Sequence, residues 1–531
     1  MFALLAAACP LRAEAASFEV SSDVVAQGYD VASPWGDVVL RRRRLMTALG
    51  LAAYDLQGEH EPMGPTYEVQ LRLRLDADFG VEGRETQYTP TDPGYFVPGL
   101  AAAPVDLMYG YVEGRRLAGG LLGFRAGRQY TTDVLGWWSF DGALLRVTTP
   151  LFVEVELYGG LEQRGGMPLS SARFEPGGVW RGVAQIEDRA SDFPSYQPTS
   201  HAPGLGVAVQ TAGPNWLNGR FDYRRGYNTG RAFTGQFPSP GGGYPETTGL
   251  RLSQERLGYA ASAYLPETGG LRAGFAYDLY TDALARAYGG LEVQLADWVT
   301  VGADGDYFVP SFDADSIWNW FTHNGVTTAL GRVAVEPARG LDLDAQGGVR
   351  LWMASGDPSS FGRGQCTASL PSTATEADLS RCLAGFDGID PSRGAAAQFS
   401  REQSNRDSTL STDLLSNLEA RYRWTSGLVS LRAMLQTGFG ESSRGRSTGA
   451  VLAARQELGG NRIWLGGQLS LHDWIDPLRP ERDATGFGYV LAPEYAPVAL
   501  AHLRLEWEHE INRLVGQRFC LLGVARLEVL P

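Results

Sequence analysis

Glu506, Glu508, His509 and Glu510 stand together in EWEHE (506–510), the densest grouping of acid–base side chains in the chain. A carboxylate beside an imidazole can do general acid–base work. On a strand, however, the three glutamates share one face and His509 shares the other with Trp507. The pattern therefore predicts an acidic ladder, not a His–carboxylate pair. The remaining histidines, His60, His201, His323, His472 and His502, accompany neither a Gly-x-Ser-x-Gly elbow nor a His-Glu-x-x-His helix. Asp313 and Asp315 in SFDADS (311–316) could meet a divalent cation in a loop, but a solvated turn is the simpler reading. No catalytic residue, metal-ligand set or cofactor is predicted. An enzyme assembled from distant strands stays a third alternative.

A second kind of chemistry is spread along the chain. Arg72, Arg74, Asp76 and Asp78 alternate with apolar residues, as do Arg272, the trio Asp342, Asp344 and Arg350, then Arg432, and finally Arg504 with Glu506 and Glu508. Guanidinium groups in water pair with carboxylate, sulfate or phosphate. Carboxylates among them keep the field transverse. All 46 basic residues are arginine, and the formal charge is −14. An acidic chain with no basic tail excludes a nucleic-acid partner.

These residues need strands to position them. YEVQLRLRLDADFG (67–80) puts Tyr67, Val69, Leu71, Leu73, Leu75, Ala77 and Phe79 on one face and only polar or charged residues on the other. The same alternation returns in 152–157, 271–280, 341–353, 428–439, 501–511 and 524–529. In all, 18 to 22 strands are expected, most about as long as a tilted strand needs to cross a bilayer. Long connections rich in Gly, Pro, Ser and Asp fall at 163–203, 227–250, 310–325 and 354–408. Tight turns are expected near 281–285 and 296–300, at the rim opposite the long loops. Residues 375–385 and 408–420 are the two expected helical pieces, the second also readable as the start of a strand.

Alternation alone also fits a soluble sandwich or propeller. Three features favour lipid outside: charges of both signs on the polar face, aromatic pairs near strand ends, and many strands with no blade repeat. The aromatic groups, Trp137 with Trp138, Trp318 with Trp320 and Phe321, and Tyr277 with Tyr280, suit girdles at the bilayer interfaces. A closed barrel satisfies every backbone group in lipid. The expected fold is therefore all-β: one large closed antiparallel transmembrane β-barrel over residues 16–531, with short periplasmic turns and long extracellular loops. Residues 1–15 read as a signal peptide ending in Ala13-Glu14-Ala15, without the usual basic start. Cys9 belongs to its apolar stretch. Cys366 and Cys382 are expected to form a disulfide within one surface loop, and Cys520 to be a small buried or lipid-facing residue. The run Arg41–Arg44 is expected at a rim or turn beside lipid phosphates.

GGLLGFRAGRQYTTDVLGWWSFDG (119–142) carries Gly127-Arg128-Gln129 at the end of one strand and Phe140-Asp141-Gly142 at the opening of the next. This stretch resembles Gram-negative outer-membrane porins, including the alginate-export and related polysaccharide-secretion barrels. The resemblance implies a channel in the outer membrane that passes hydrophilic solutes or an exported polysaccharide. Outer-membrane lipid and lipopolysaccharide would surround it, and a periplasmic export or envelope complex could join it. The rival reading is a plugged barrel serving as an envelope scaffold or a surface adhesion and motility component.

Overall fold

The computed structural model describes residues 16–58, 64–81, 105–163, 202–213, 215–229, 232–233, 246–247, 249–310, 325–354, 409–439, 446–460, 462–475, 484–512 and 516–529. Its first wall comprises β1 (Ser17–Ala32), β2 (Val38–Tyr54), β3 (Thr66–Val81), β4 (Val105–Arg116), β5 (Leu122–Asp133), β6 (Gly136–Thr148), β7 (Val153–Glu162), β8 (Pro203–Thr211) and β9 (Leu217–Asn228). A short ribbon, β10 (Ala232–Phe233) with β11 (Glu246–Thr247), stands apart in the following connection. The wall resumes with β12 (Arg251–Leu265), β13 (Gly269–Asp278), β14 (Ala283–Ala296), β15 (Val299–Phe308), β16 (Val326–Ala338), β17 (Leu341–Ala354) and β18 (Thr409–Trp424). It ends with β19 (Gly427–Phe439), β20 (Arg446–Gly459), β21 (Ile463–Trp474), β22 (Gly486–Val498), β23 (Ala501–Asn512) and β24 (Gly516–Val529).

Each wall strand pairs antiparallel with the wall strands before and after it, β9 with β12 among them, and β24 pairs back onto β1 from Val20–Val529 to Ala32–Gln517. The result is a closed barrel of 22 strands. Closure leaves no unpaired edge, which is the condition for crossing hydrocarbon. The apolar rows of neighbouring strands align: Val20 lies opposite Leu51, and Leu51 opposite Leu71. Val20 and Leu51 are exposed and Leu71 partly so, and Leu205, Val209, Phe221 and Tyr259 are exposed farther round. A continuous exposed apolar belt on a closed antiparallel barrel is the surface of an outer-membrane protein.

Counting strands fixes the two rims. The connections 82–104, 163–202, 229–250, 309–325 and 355–408 all leave the barrel at one end. Ser17 and Val529 lie at the other end, with short turns such as 297–298, 339–340 and 425–426. Long loops mark the extracellular side of such barrels. The short turn 279–282 opens on the long-loop rim, so the two tight turns expected on one side lie on opposite sides. Segment 409–424 is strand throughout, not helix, and Leu418, Ala420, Tyr422 and Trp424 keep the spacing of two that a strand face needs. Residues 1–15, the Cys366–Cys382 pair, Asp313, Asp315, Trp318, Trp320, Phe321 and the 375–385 piece lie outside the described residues.

The arginine run lies inside β2, close to its extracellular start, and not in a turn. Arg43 there points outward and meets Asp30 at 3.0 Å, which offsets the cost of a charge on that face. The side chains of Arg41 and Arg42 lie outside the described residues.

Candidate functional site

Side chains converge on the concave face of a curved sheet, so contacts that bridge over an intervening strand identify the inside. Arg72 of β3 reaches Asp23 of β1 across Gly50 of β2. Arg272 of β13 reaches Asp304 of β15 at 2.6 Å across Gly290 of β14. Arg220 of β9 reaches Glu156 of β7 at 2.8 Å across the fully buried Ala208 of β8. All three bridges lie on the charged face, which therefore lines the lumen. The small middle residue leaves room for the bridge. A Cβ on Gly290 would stand 2.3 Å from the Asp304 carboxylate and 2.8 Å from the Arg272 side chain. Gly290→Leu is thus expected to displace this water-exposed pair and lower stability by about 0.5–1 kcal/mol. Gly305→Ala, whose Cβ meets nothing within 4 Å, is the matched control. Thermal loss of the compact electrophoretic form reads both; an unchanged transition in Gly290→Leu would contradict the bridging geometry.

The candidate pore residues take definite places. Arg332 meets Asp344 at 2.6 Å and Arg423 meets Asp342 at 2.7 Å. Arg432 meets Glu419 at 2.7 Å, Arg504 meets Glu506 at 2.6 Å, and Arg518 pairs with Glu508. Arg350 lies over the Trp352 ring, 5.6 Å from its centroid. Arg74 is buried on the lumen face opposite Ala48. Asp76 and Asp78 keep the same register in β3, but their side chains lie outside the described residues. Cys520 lies opposite Glu508 and takes a weak hydrogen bond from Gln27 at 3.9 Å, which places it on the lumen face instead of toward lipid.

Within these pairs the two signs are not equally presented. Side-chain exposure is 48% for Arg432 against 13% for Glu419, 48% for Arg455 against 11% for Glu494, and 44% for Arg504 against 23% for Glu506. The long guanidinium stem extends into the lumen while the shorter carboxylate stays at the wall. In these pairs the guanidinium is the better-exposed group, although the whole chain is acidic; the order is reversed where Glu292, at 57%, faces Arg332 at 46%.

Sequence reasoning missed the principal feature of the lumen. The β4–β5 ladder ends at Gly110–Arg128, yet β5 continues to Asp133 paired with β6. The freed hairpin turns inward and packs on the inner faces of β7, β8, β9 and β12. Trp138, Phe140, Leu144, Tyr158 and Ala208 form a buried cluster there, with Trp138 stacked on Phe140 at 4.3 Å. Asp133, near the tip, meets Arg224 of β9 at 2.7 Å with both side chains buried. Val134 and Leu135 cover Gly258 of β12. Trp137 and Trp138 therefore belong to a constriction, not to a bilayer girdle. They are adjacent in sequence, so one ring goes to each face of the hairpin.

Gly127, Arg128, Gln129, Phe140, Asp141 and Gly142 form the root of this arm. Arg128 donates two hydrogen bonds to Asp141, at 2.7 and 2.8 Å. Gly127 has φ +129°, and a Cβ there would fall 2.3 Å from the Gly110 carbonyl oxygen, so only glycine turns the strand at this point. Below the root an alternating charge row crosses the wall. Arg115 and Arg125 both hold Glu113 at 2.8 Å, and Arg146 and Arg220 both hold Glu156 at 2.8 Å.

No family model and no curated protein matches the chain. Similar solved structures include OccAB4 of Acinetobacter baumannii, at 5% identity over 98% of this chain and 100% of that chain with a TM-score of 0.42. OpdK of Pseudomonas aeruginosa with vanillate gives 9% identity, 98% and 99% coverage and a TM-score of 0.39. OccAB2 of A. baumannii gives 8%, 97% and 98%, and 0.41. Likeness at this level assigns no family, and the functional reading rests on the lumen itself.

Proposed function

We propose that the protein is a passive outer-membrane channel for small hydrophilic solutes, with a preference for anions. The observation that supports this reading is the order of exposure in the lumen pairs, arginine toward water and carboxylate toward the wall. A solute carboxylate, sulfate or phosphate entering the lumen exchanges water for guanidinium donors that already carry a wall-side partner. Each contact is then weak and repeated along the path, so the solute both enters and leaves. The inward hairpin narrows the lumen from the extracellular half and sets the size limit. Outer-membrane lipid and lipopolysaccharide are the surrounding partners.

Among the described residues, the lumen shows no feature specific to an extruded polymer, an export complex or a plugged scaffold. Purified protein added to a planar bilayer is expected to give discrete, ohmic current steps. Correctly folded protein that inserts and carries no current would replace the channel with the plugged scaffold.

A further inference from the structure

The two faces of the inward hairpin differ in packing. One face holds the tight cluster of Trp138 and Phe140 against the wall and already fixes the arm. The other face carries Arg128, Tyr130, Trp137 and Asp141. It looks toward the inner surface of β4, where Tyr109 and Tyr111 point into the lumen. Four rings follow one another across this cleft: Tyr111 to Tyr109 at 6.0 Å, Tyr109 to Tyr130 at 6.1 Å, and Tyr130 to Trp137 at 6.1 Å. These rings are looser than the buried stack, and Tyr130 is exposed. Tyr109, Tyr111 and Trp137 are half-buried, so Tyr130 is the ring of this row most open to a ligand.

We propose that this cleft is a saccharide subsite, taking a pyranose ring of a small neutral oligosaccharide. The proposal requires a water-filled lumen but does not require conduction. The C–H groups on one side of a pyranose ring carry partial positive charge and pack on the negative face of an aromatic ring. The exposed Tyr130 ring, flanked by Tyr109 and Trp137, supplies such a face for one sugar ring. The polar group at the base of the cleft suits hydroxyls and not anions. In the Arg128–Asp141 pair the order of exposure is reversed, with Asp141 at 39% and Arg128 at 23%. Here the lumen offers a carboxylate that accepts two hydrogen bonds from Arg128 and one from Gln163 and keeps lone pairs for sugar O–H donors. Tyr111 already donates its hydroxyl to Gln70, which leaves that oxygen's lone pair as an acceptor.

Titration calorimetry of maltotriose into the folded, detergent-solubilised barrel tests the site separately from channel activity. Wild type is expected to bind. Tyr130→Leu combined with Trp137→Leu, which keeps both positions apolar and removes the ring faces, is expected to weaken binding at least tenfold. Tyr130→Phe combined with Trp137→Phe should retain it within about threefold, since packing on the ring face carries the contact. Retained compact electrophoretic mobility certifies each variant, and the Phe pair carries the test if the Leu pair does not fold. No maltotriose heat in wild type, equal affinity in the Leu pair, or loss of binding in the folded Phe pair would overturn the proposal. So would ring-dependent binding of 4-hydroxybenzoate without binding of maltotriose, which would make the site one for aromatic acids.

Discussion

Replacing residues 131–138 by Asn-Gly is expected to raise single-channel conductance severalfold. The replacement closes the β5–β6 pair just above Tyr130–Ser139 with a turn suited to two-residue hairpins. It removes the arm that spans from β4 to β12 and leaves the barrel ladders intact, because β4–β5 pairing ends at Arg128. The milder change Arg224→Ala acts differently. It leaves Asp133 buried without this partner, a situation that costs about 3–5 kcal/mol when the pair is fully desolvated. The arm then loses its anchor while keeping its bulk, so the current should become noisy with little gain in mean conductance. If the shortened hairpin conducts like wild type, the arm does not limit the pore.

Leu71→Arg together with Leu73→Arg is expected to abolish membrane insertion. Each arginine at mid-membrane on the lipid face costs about 2–4 kcal/mol, and two together exceed much of the margin by which a typical protein is stable. Arg72→Ser, one residue away on the opposite face, should insert normally. It removes the bridge to Asp23, a charge that Arg526 also faces at 3.6 Å. Outer-membrane fractionation and heat-modifiable gel mobility read both outcomes. A harmless Leu pair with an uninserted Arg72→Ser would exchange the two faces.

The β3 stretch shows how much the sequence carries. Seven apolar residues at even spacing from Tyr67 to Phe79 define a strand, its two faces and its register, because a one-residue slip would reverse every side chain. The closed barrel follows from repeating that pattern. The rim assignment of turn 279–282 was less accessible, since it depends on the parity of every preceding strand. The inward arm was not legible at all. Residues 122–148 alternate like any other hairpin, and what turns them inward lies far away: Arg224 for Asp133, Gly204 for Trp138 and Gly258 for Leu135. The nearest local signal is the glycine set Gly127, Gly142 and Gly160 at the root, where added Cβ atoms would strike neighbouring carbonyls at 2.0–2.3 Å. The sign of the lumen surface was hidden as well. Arg432 and Glu419 are equivalent as letters, and only the folded wall shows which of them reaches water.

The central claim is that an acidic chain encloses a cationic water path. The reversal potential of single channels across a potassium chloride gradient tests it most directly. The account predicts a potential displaced toward the chloride equilibrium value, reduced by Arg432→Ser combined with Arg504→Ser. Displacement toward the potassium value in the wild-type channel would contradict it, because the carboxylates and not the guanidinium groups would then govern the water-facing layer.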